Sequence, residues 1–378
     1  MGLLLLIIGI VLFVCLVLVH EWGHYKAARR GGVDVEEFGL GFPPKLWSKR
    51  QKSGMLLSVN LLPLGGFVRL RGEHDADTDP GTFGAAPLST KVKIMLAGVF
   101  MNLITAMGVL LLLAWLGMPQ LVENQFRVEG DSRVTRQEIL VGYIEPNSPA
   151  EQAGVQRSDV LVSIALVGAE STEKMPIIDE ESVPKLTKSF AGQEVVLEIK
   201  HRGQIQAKTV MLRETDEVEA TQNDDIPKGY LGVVPVEYTM RQATWSAPIV
   251  AVGTTAQFAW LTLEGLGTLI FSLFQGDTTT AANQVSGPVG IVVLIKDGAM
   301  LGYQFILLIV AVISLTLAIM NSLPIPALDG GRLFVLLLFR ALRKPLKPKT
   351  EDFIHGTGFV MLLGLLFLIT IVDIRRFF

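Results

Sequence analysis

Residues 3–24 read LLLLIIGIVLFVCLVLVHEWGH, an uncharged apolar run of 17 residues that passes without a break into His20, Glu21 and His24. A helix crossing the roughly 30 Å hydrocarbon core needs about 20 mostly apolar residues, so this stretch reads as a membrane span with polar groups on its last turns. It has no basic leader and no small-residue cleavage site, and it flows into a polar motif on the same helix. Those features mark a retained span rather than a signal peptide.

Three further runs are long enough to span. Residues 94–116 contain Asn102 and Thr105 as their clear polar interruptions. Residues 305–323 end at Pro324 and Pro326, beyond which LFVLLLF (333–339) resumes; residues 357–372 form the last. A fifth stretch, 243–275, is apolar and aromatic but carries Pro248, Gln257 and Glu264, so it reads either as a span or as a helix lying along the membrane surface. Half of the 378 residues are hydrophobic and only 18% are charged. Soluble domains carry about 25% charged residues, so the class is integral membrane protein, and a soluble, disordered or nucleic-acid-binding chain is excluded. Cys15 is the one cysteine, which rules out an intrachain disulfide or a thiolate metal cluster.

Charge gives the expected orientation. Residues 26–93 hold 11 Lys and Arg against 7 Asp and Glu, and residues 340–352 hold 5 against 2, whereas residues 118–300 hold 14 against 24. Short basic loops stay cytoplasmic and a long segment translocates largely regardless of charge, so the expected topology is N-out, four spans, C-out. Arg375 and Arg376 at the outer end are a mild exception. Within the outer region, residues 135–215 read as one α/β domain. ILVGYI (139–144), SDVLVSI (158–164) and EVVLEIK (194–200) have strand patterns, and NSPAEQAG (147–154) carries a helix start at Asn147/Ser148 and a stop at Gly154. Residues 214–228 read as an acidic, solvated linker.

His20 and His24 lie four apart, so on a helix both imidazoles face one way and can clamp one ion, with Glu21 between them as a general base. Three ionisable groups at a span's end need compensation, since each costs roughly 2.5–3.5 kcal/mol at a span's centre and less near its ends. A catalytic zinc takes three protein ligands. His74 lies in an acidic loop, His201 at a strand end in the outer domain and His355 at the mouth of the last span, all ordinary positions. The remaining candidate is Asp329, the one acid of the third apolar region, in NSLPIPALDGG (321–331), where the prolines break the helix and Gly330–Gly331 allow close backbone approach. If Asp329 is to meet the histidines, its span must run in the same direction as the first. Residues 243–275 are then expected at the outer interface, or dipping in and returning, rather than crossing.

Taken in order, HEWGH (20–24), NLLPLGGFVRLRGE (60–73), AGVFMN (97–102), NSPAEQAG (147–154), SGPVGI (286–291) and NSLPIPALDGG (321–331) resemble the site-2 protease family of intramembrane zinc metalloproteases, in its bacterial branch with a PDZ-like domain. The resemblance covers most of the chain, with one recognisable PDZ-like unit. It implies that His20, His24 and Asp329 ligate Zn2+ and that Glu21 takes a proton from water and delivers it to the leaving amine. The implied fold is a polytopic α-helical membrane protein of four transmembrane helices, with a membrane-reentrant β-hairpin and an inserted α/β PDZ-like domain. Its expected parts are 1–117 (two spans and the hairpin, about 55–71), 118–240 (extracytoplasmic), 241–300 (interfacial) and 301–378 (two spans). The segment 55–71 reads as two short strands around Leu64-Gly65-Gly66, whose open edge accepts an unwound substrate as an added strand. Asn60, Gly65, Gly66, Asn321, Pro324 and Pro326 are the candidate substrate-binding residues, and Asn102 reads as packing or hydrogen bonding between spans. The implied partners are the lipid bilayer, a single-span membrane protein such as an anti-sigma factor or remnant signal peptide, and an upstream site-1 protease. The implied location is the cell inner membrane, with the active site toward the cytoplasm. Two other classes stay open. A metal-bearing scaffold that binds peptides without cutting them has no need of Glu21, and a metal transporter calls for polar groups spaced through several spans.

Overall fold

The computed structural model describes residues 2–168, 174–201, 203–222, 227–277 and 285–377. The chain opens with helix α1 (Gly2–Arg30), strands β1 (Val35–Arg50) and β2 (Leu56–Leu70) and helix α2 (Leu88–Leu116). A strand-rich stretch follows: β3 (Met118–Pro119), β4 (Arg133–Ile144), α3 (Pro149–Gln152), β5 (Val160–Leu166), β6 (Met175–Pro176), α4 (Ser182–Ser189), β7 (Glu194–His201), β8 (Gln204–Met211), α5 (Thr215–Glu219) and β9 (Val233–Gln242). The last third is helical, with α6 (Ala247–Gln275), α7 (Pro288–Leu301), α8 (Tyr303–Ser322), α9 (Asp329–Ala341) and α10 (Pro348–Phe377). Two compact units result, residues 1–113 with 246–378, and residues 114–245.

In the helical unit, among the described residues, five helices rather than four are long and apolar enough to cross a membrane: α1, α2, α6, α8 and α10. Their outward faces carry unpaired apolar side chains such as Leu4, Phe100, Trp260, Phe274 and Phe367, which suits a multi-pass membrane protein. Residues 247–275 form one unbroken helix, so the chain does not dip and return within that stretch. Pro248 falls on its first turn, where a missing N–H costs nothing. The 14 residues of α7 reach only about 21 Å, short of a full crossing.

Leu16 of α1, Ala299 of α7, and Ile306 and Val310 of α8 share one buried cluster. Gly9 leaves the room that Ile295 occupies against α1. The first turn of α7, within SGPVGI, has no side-chain cap of its own. Asp373 of α10, 1% exposed, accepts from the Gly287 and Gly290 N–H groups at 2.9 and 2.8 Å instead. A second cluster ties Ala28, Val35, Leu70, Ile94, Met95 and Leu336 together where α1, the β1–β2 sheet, α2 and α9 meet.

The β1–β2 sheet departs from the expected hairpin. The two halves of β2 do not pair with each other but flank the first part of β1. Glu37 to Leu40 pair with Leu56–Val59 on one side and with Gly66–Arg69 on the other, while Trp47–Arg50 pair with Leu56–Val59 beyond. Four short segments thus stand side by side, and Gly66–Leu70 is one outer edge.

The strand-rich unit is an antiparallel sheet in the order β3-β9-β4-β5-β7-β8, with β6 on β5. Its core joins Ile139, Val141, Leu161, Ile164, Val195, Leu197 and Val210. Ser148 caps α3 by accepting from Glu151 N–H at 3.3 Å, and Gly154 at φ +72 ends that turn. The stretch 214–228 is not all linker. Thr215–Glu219 is helical with Val218 buried, and residues 223–226 lie outside the described residues.

Replacing Asp373 with Ala leaves two buried N–H groups without an acceptor. The expected loss is about 2–4 kcal/mol, read as a lower thermal unfolding midpoint of the purified full chain. Asp373→Asn, which keeps one acceptor oxygen, recovers part of it.

Candidate metal centre

Helix α1 continues through His20 and His24 because nothing in 3–30 interrupts its backbone ladder, and the i,i+4 spacing stacks the rings with centroids 4.8 Å apart at 75°. Two glycines let α1 and α2 close on each other. A side chain at Gly23 would strike the Ala97 carbonyl, and one at Gly98 would sit within 2.6 Å of the Nε2 atoms of both histidines.

Asp329 arrives from the far end of the chain. Helix α8 stops at Ser322, the chain turns through Pro324, Pro326 and Ala327 at φ +76, and α9 restarts at Asp329. This turn folds tightly over the start of α9. Cβ atoms on Gly330 and Gly331 would collide with the backbones of Ser322 and Ile325, so only glycine fits at either position. Gly358 of α10 lies directly against Pro326, and His355, one turn earlier, accepts from the Ala327 N–H at 3.5 Å.

The three donor atoms form a nearly equilateral triangle. His20 Nε2 to Asp329 Oδ2 is 3.1 Å, His24 Nε2 to the same oxygen is 3.2 Å, and the two Nε2 atoms are 3.2 Å apart. A tetrahedral ion with bonds of about 2.0 Å spaces its ligands about 3.3 Å apart, so these donors fit one zinc-sized cation. Their protonation agrees. His24 Nδ1 donates to the Ile94 carbonyl at 2.8 Å, so the neutral ring presents its lone pair at Nε2. Asp329 Oδ2 is buried and has no hydrogen-bond partner. The space a Gly98 side chain would fill is the space such an ion needs.

Asn102, fully buried in α2, sets its amide Nδ2 3.2 Å from His20 Nδ1, and its Oδ1 has no partner. When His20 Nε2 faces a cation, Nδ1 must carry the proton. The amide orientation that serves it turns Oδ1 toward Nδ1 to accept that proton. Ser314 of α8 donates to the Asn102 carbonyl at 2.8 Å and holds that turn of α2. The sequence marked Asn102 as a polar interruption that packs or hydrogen-bonds between spans, without naming its partner. Its partner lies 82 residues away, and no local pattern reveals the pairing.

Glu21, half-buried, stands beside the two histidines and Asp329, with the Val68 backbone amide directed at its carboxylate and Gly66 packed against its Cγ. The substrate-binding candidates divide. Gly66 lies at this edge, next to Gly65 at φ +112. The Asn60 amide donates to the Gly41 carbonyl at 2.9 Å, and Asn321 donates to Leu317 of its own helix at 3.0 Å. Pro324 is exposed, and Pro326 packs on Gly358. His355 is not the ordinary position its sequence context indicated. Its Nε2 is buried without a partner, and it lines a cavity of about 420 Å³ together with Asp329, Glu73, His74, Arg332 and Glu351.

The model of Peptidase family M50 matches residues 8–365. A protein of Clostridium perfringens, provisionally named a zinc metalloprotease, is 30% identical over 374 residues, covering 98% of both chains. Proteins named zinc metalloprotease RasP from Oceanobacillus iheyensis and Shouchella clausii are 26% and 25% identical, again across 98% of both chains. The matches run almost end to end and carry the zinc chemistry that the three converging donors fit, and from them it follows that this chain belongs to peptidase family M50, the zinc metalloproteases of the site-2 protease family.

Proposed function

We propose that the chain is an intramembrane endopeptidase that cuts single-span membrane proteins after another protease has trimmed their outer part. In this reading His20, His24 and Asp329 hold zinc and Glu21 is the general base. One observation carries it: three donor atoms converge at 3.1–3.2 Å with a carboxylate beside them. A scaffold that only binds peptides has no use for Glu21 at that position.

When bound, zinc supplies a Lewis acid for the scissile carbonyl. The remaining steps belong to the chain itself. Glu21 takes a proton from the attacking water and returns it to the leaving nitrogen. A peptide bond inside a helix is shielded and hydrogen-bonded, so the substrate must unwind before it reacts. The outer edge at Gly66–Leu70, which already directs one amide toward Glu21, offers main-chain groups to an extended substrate strand. Gly65 and Gly66 keep that edge free of side chains, and Asn321, Pro324 and Pro326 shape the turn opposite. Asn60, whose amide donates to Gly41 while its buried Oδ1 has no partner, is carried as a substrate-binding candidate of the sheet.

Residues 1–117 and 301–378 supply four spans, 118–240 an extracytoplasmic region with a PDZ-like domain that limits access by size, and 241–300 an interfacial segment. The protein resides in the inner membrane with its active site toward the cytoplasm. Anti-sigma factors and remnant signal peptides are the substrate classes, and a site-1 protease makes the first cut.

Three measurements test the chemistry. With a one-span model substrate in detergent, Glu21→Gln is expected to cut about 10²–10⁴-fold more slowly while keeping its zinc. Equal cleavage by both forms removes Glu21 from the mechanism. Asp329→Ala is expected to lose stoichiometric zinc in elemental analysis of the purified protein. Asn102→Leu is expected to bind zinc about 10–100-fold more weakly, and Asn102→Asp, which keeps an acceptor for His20 Nδ1, holds it more tightly than the Leu variant.

A further inference from the structure

The outer half of the β1–β2 sheet is built inside out. Trp47 pairs with Val59, and Leu61 follows two residues on, so the three share one face, and all are exposed, at 52%, 38% and 51%. The opposite face carries Ser58 and Asn60, buried at 4% and 5%. A sheet in water turns its polar residues outward; this one turns them inward. Leu46 and Leu62, at the alternate positions, are exposed as well.

The charge on this segment has one sign. Residues 41–62 hold Lys45, Lys49, Arg50 and Lys52 and no acid. Lys45 is taken by Glu37 at 2.8 Å, whereas Lys49, Arg50 and Lys52 are exposed at the closing turn and form no ion pair among the described residues.

An apolar face rimmed by cations, with a tryptophan on it, has the chemistry of a membrane surface contact. Depth follows from the backbone. Lys45–Arg50 is an outer edge of the sheet, with N–H and C=O groups that need water, so it does not sit in the hydrocarbon. Headgroup level satisfies the edge, the indole and the cations together, and the aliphatic stems of Lys and Arg lie along the apolar face while their charges reach phosphate.

We propose that Lys49, Arg50 and Lys52, with Trp47, Val59 and Leu61 beneath them, form a binding surface for anionic phospholipid headgroups of the bilayer that holds the protein. This surface is separate from the metal centre and does not depend on the proteolytic reading.

The test uses the full chain reconstituted in vesicles of phosphatidylcholine, alone or with 30% phosphatidylglycerol. Trp47 fluorescence is taken as the difference between wild type and Trp47→Phe. Trp47 is expected to be quenched by lipids brominated close to the headgroup and not by aqueous iodide. The quenching should strengthen with phosphatidylglycerol and fall back in high salt. The triple variant Lys49→Glu/Arg50→Glu/Lys52→Glu is expected to lose the phosphatidylglycerol increment while keeping wild-type zinc content and unfolding midpoint. A single variant, Lys52→Gln on the turn, keeps the test open if the triple variant does not fold, and is expected to lose part of the increment. Quenching that ignores phosphatidylglycerol overturns the proposal. So does a Trp47 that iodide reaches, and so does one shielded from both quenchers, which means that protein covers the face.

Discussion

Lone pairs that face one another in an apolar surround repel, and the whole centre of this molecule is arranged around that repulsion. His24 has given its one ring proton to Ile94, His20 has Asn102 behind it, and Asp329 adds a full negative charge to the same point. A zinc ion held by all three neutralises such a cluster. Apparent binding of zinc to protein sites is worth about 10–16 kcal/mol, more than the roughly 2.5–3.5 kcal/mol that each buried ionisable group costs a span. Assembly of α1, α2 and the α8–α9 turn is therefore linked to the ion.

Bringing those elements close enough is the work of missing side chains. Gly23 and Gly98 allow α2 to press on α1, Gly330 and Gly331 allow the proline turn to fold over the start of α9, and Gly358 brings α10 against that turn. In a bilayer, where lipid removes the hydrophobic drive between helices, close approach at small residues supplies the packing that holds spans together. Asn102, buried between α1 and α2, is held at its backbone by Ser314 and faces the His20 ring.

Much of this was legible in the sequence because its signals are local. Two histidines one helical turn apart, a proline break and a glycine pair following an acid each need fewer than a dozen residues to read. The remainder depends on pairings across long separations. Nothing in 55–71 reveals that β1 inserts between the two halves of β2, because register is set by partners outside the segment. Pro248 looked like an interruption and proved to be the first turn of a 29-residue helix. Asp373 lies just beyond the last expected span, 357–372, and its role as acceptor for the first turn of α7 appears only once α7 is set beside α10. His355 looked peripheral because its sequence neighbours are ordinary, while its spatial neighbours are Ala327 and Asp329.

The polar cavity between Asp329 and the charged start of α10 bears on how such a centre is supplied. Hydrolysis consumes water, and the surrounding lipid provides almost none. The cavity runs from the ligand carboxylate past Arg332 and His355 to Asp352, whose side chain is 68% exposed. Hydrated solutes thus have a path that avoids the acyl chains. An ion bound by His20, His24 and Asp329 would face this cavity on its Asp329 side, so water-soluble chelators would meet it there.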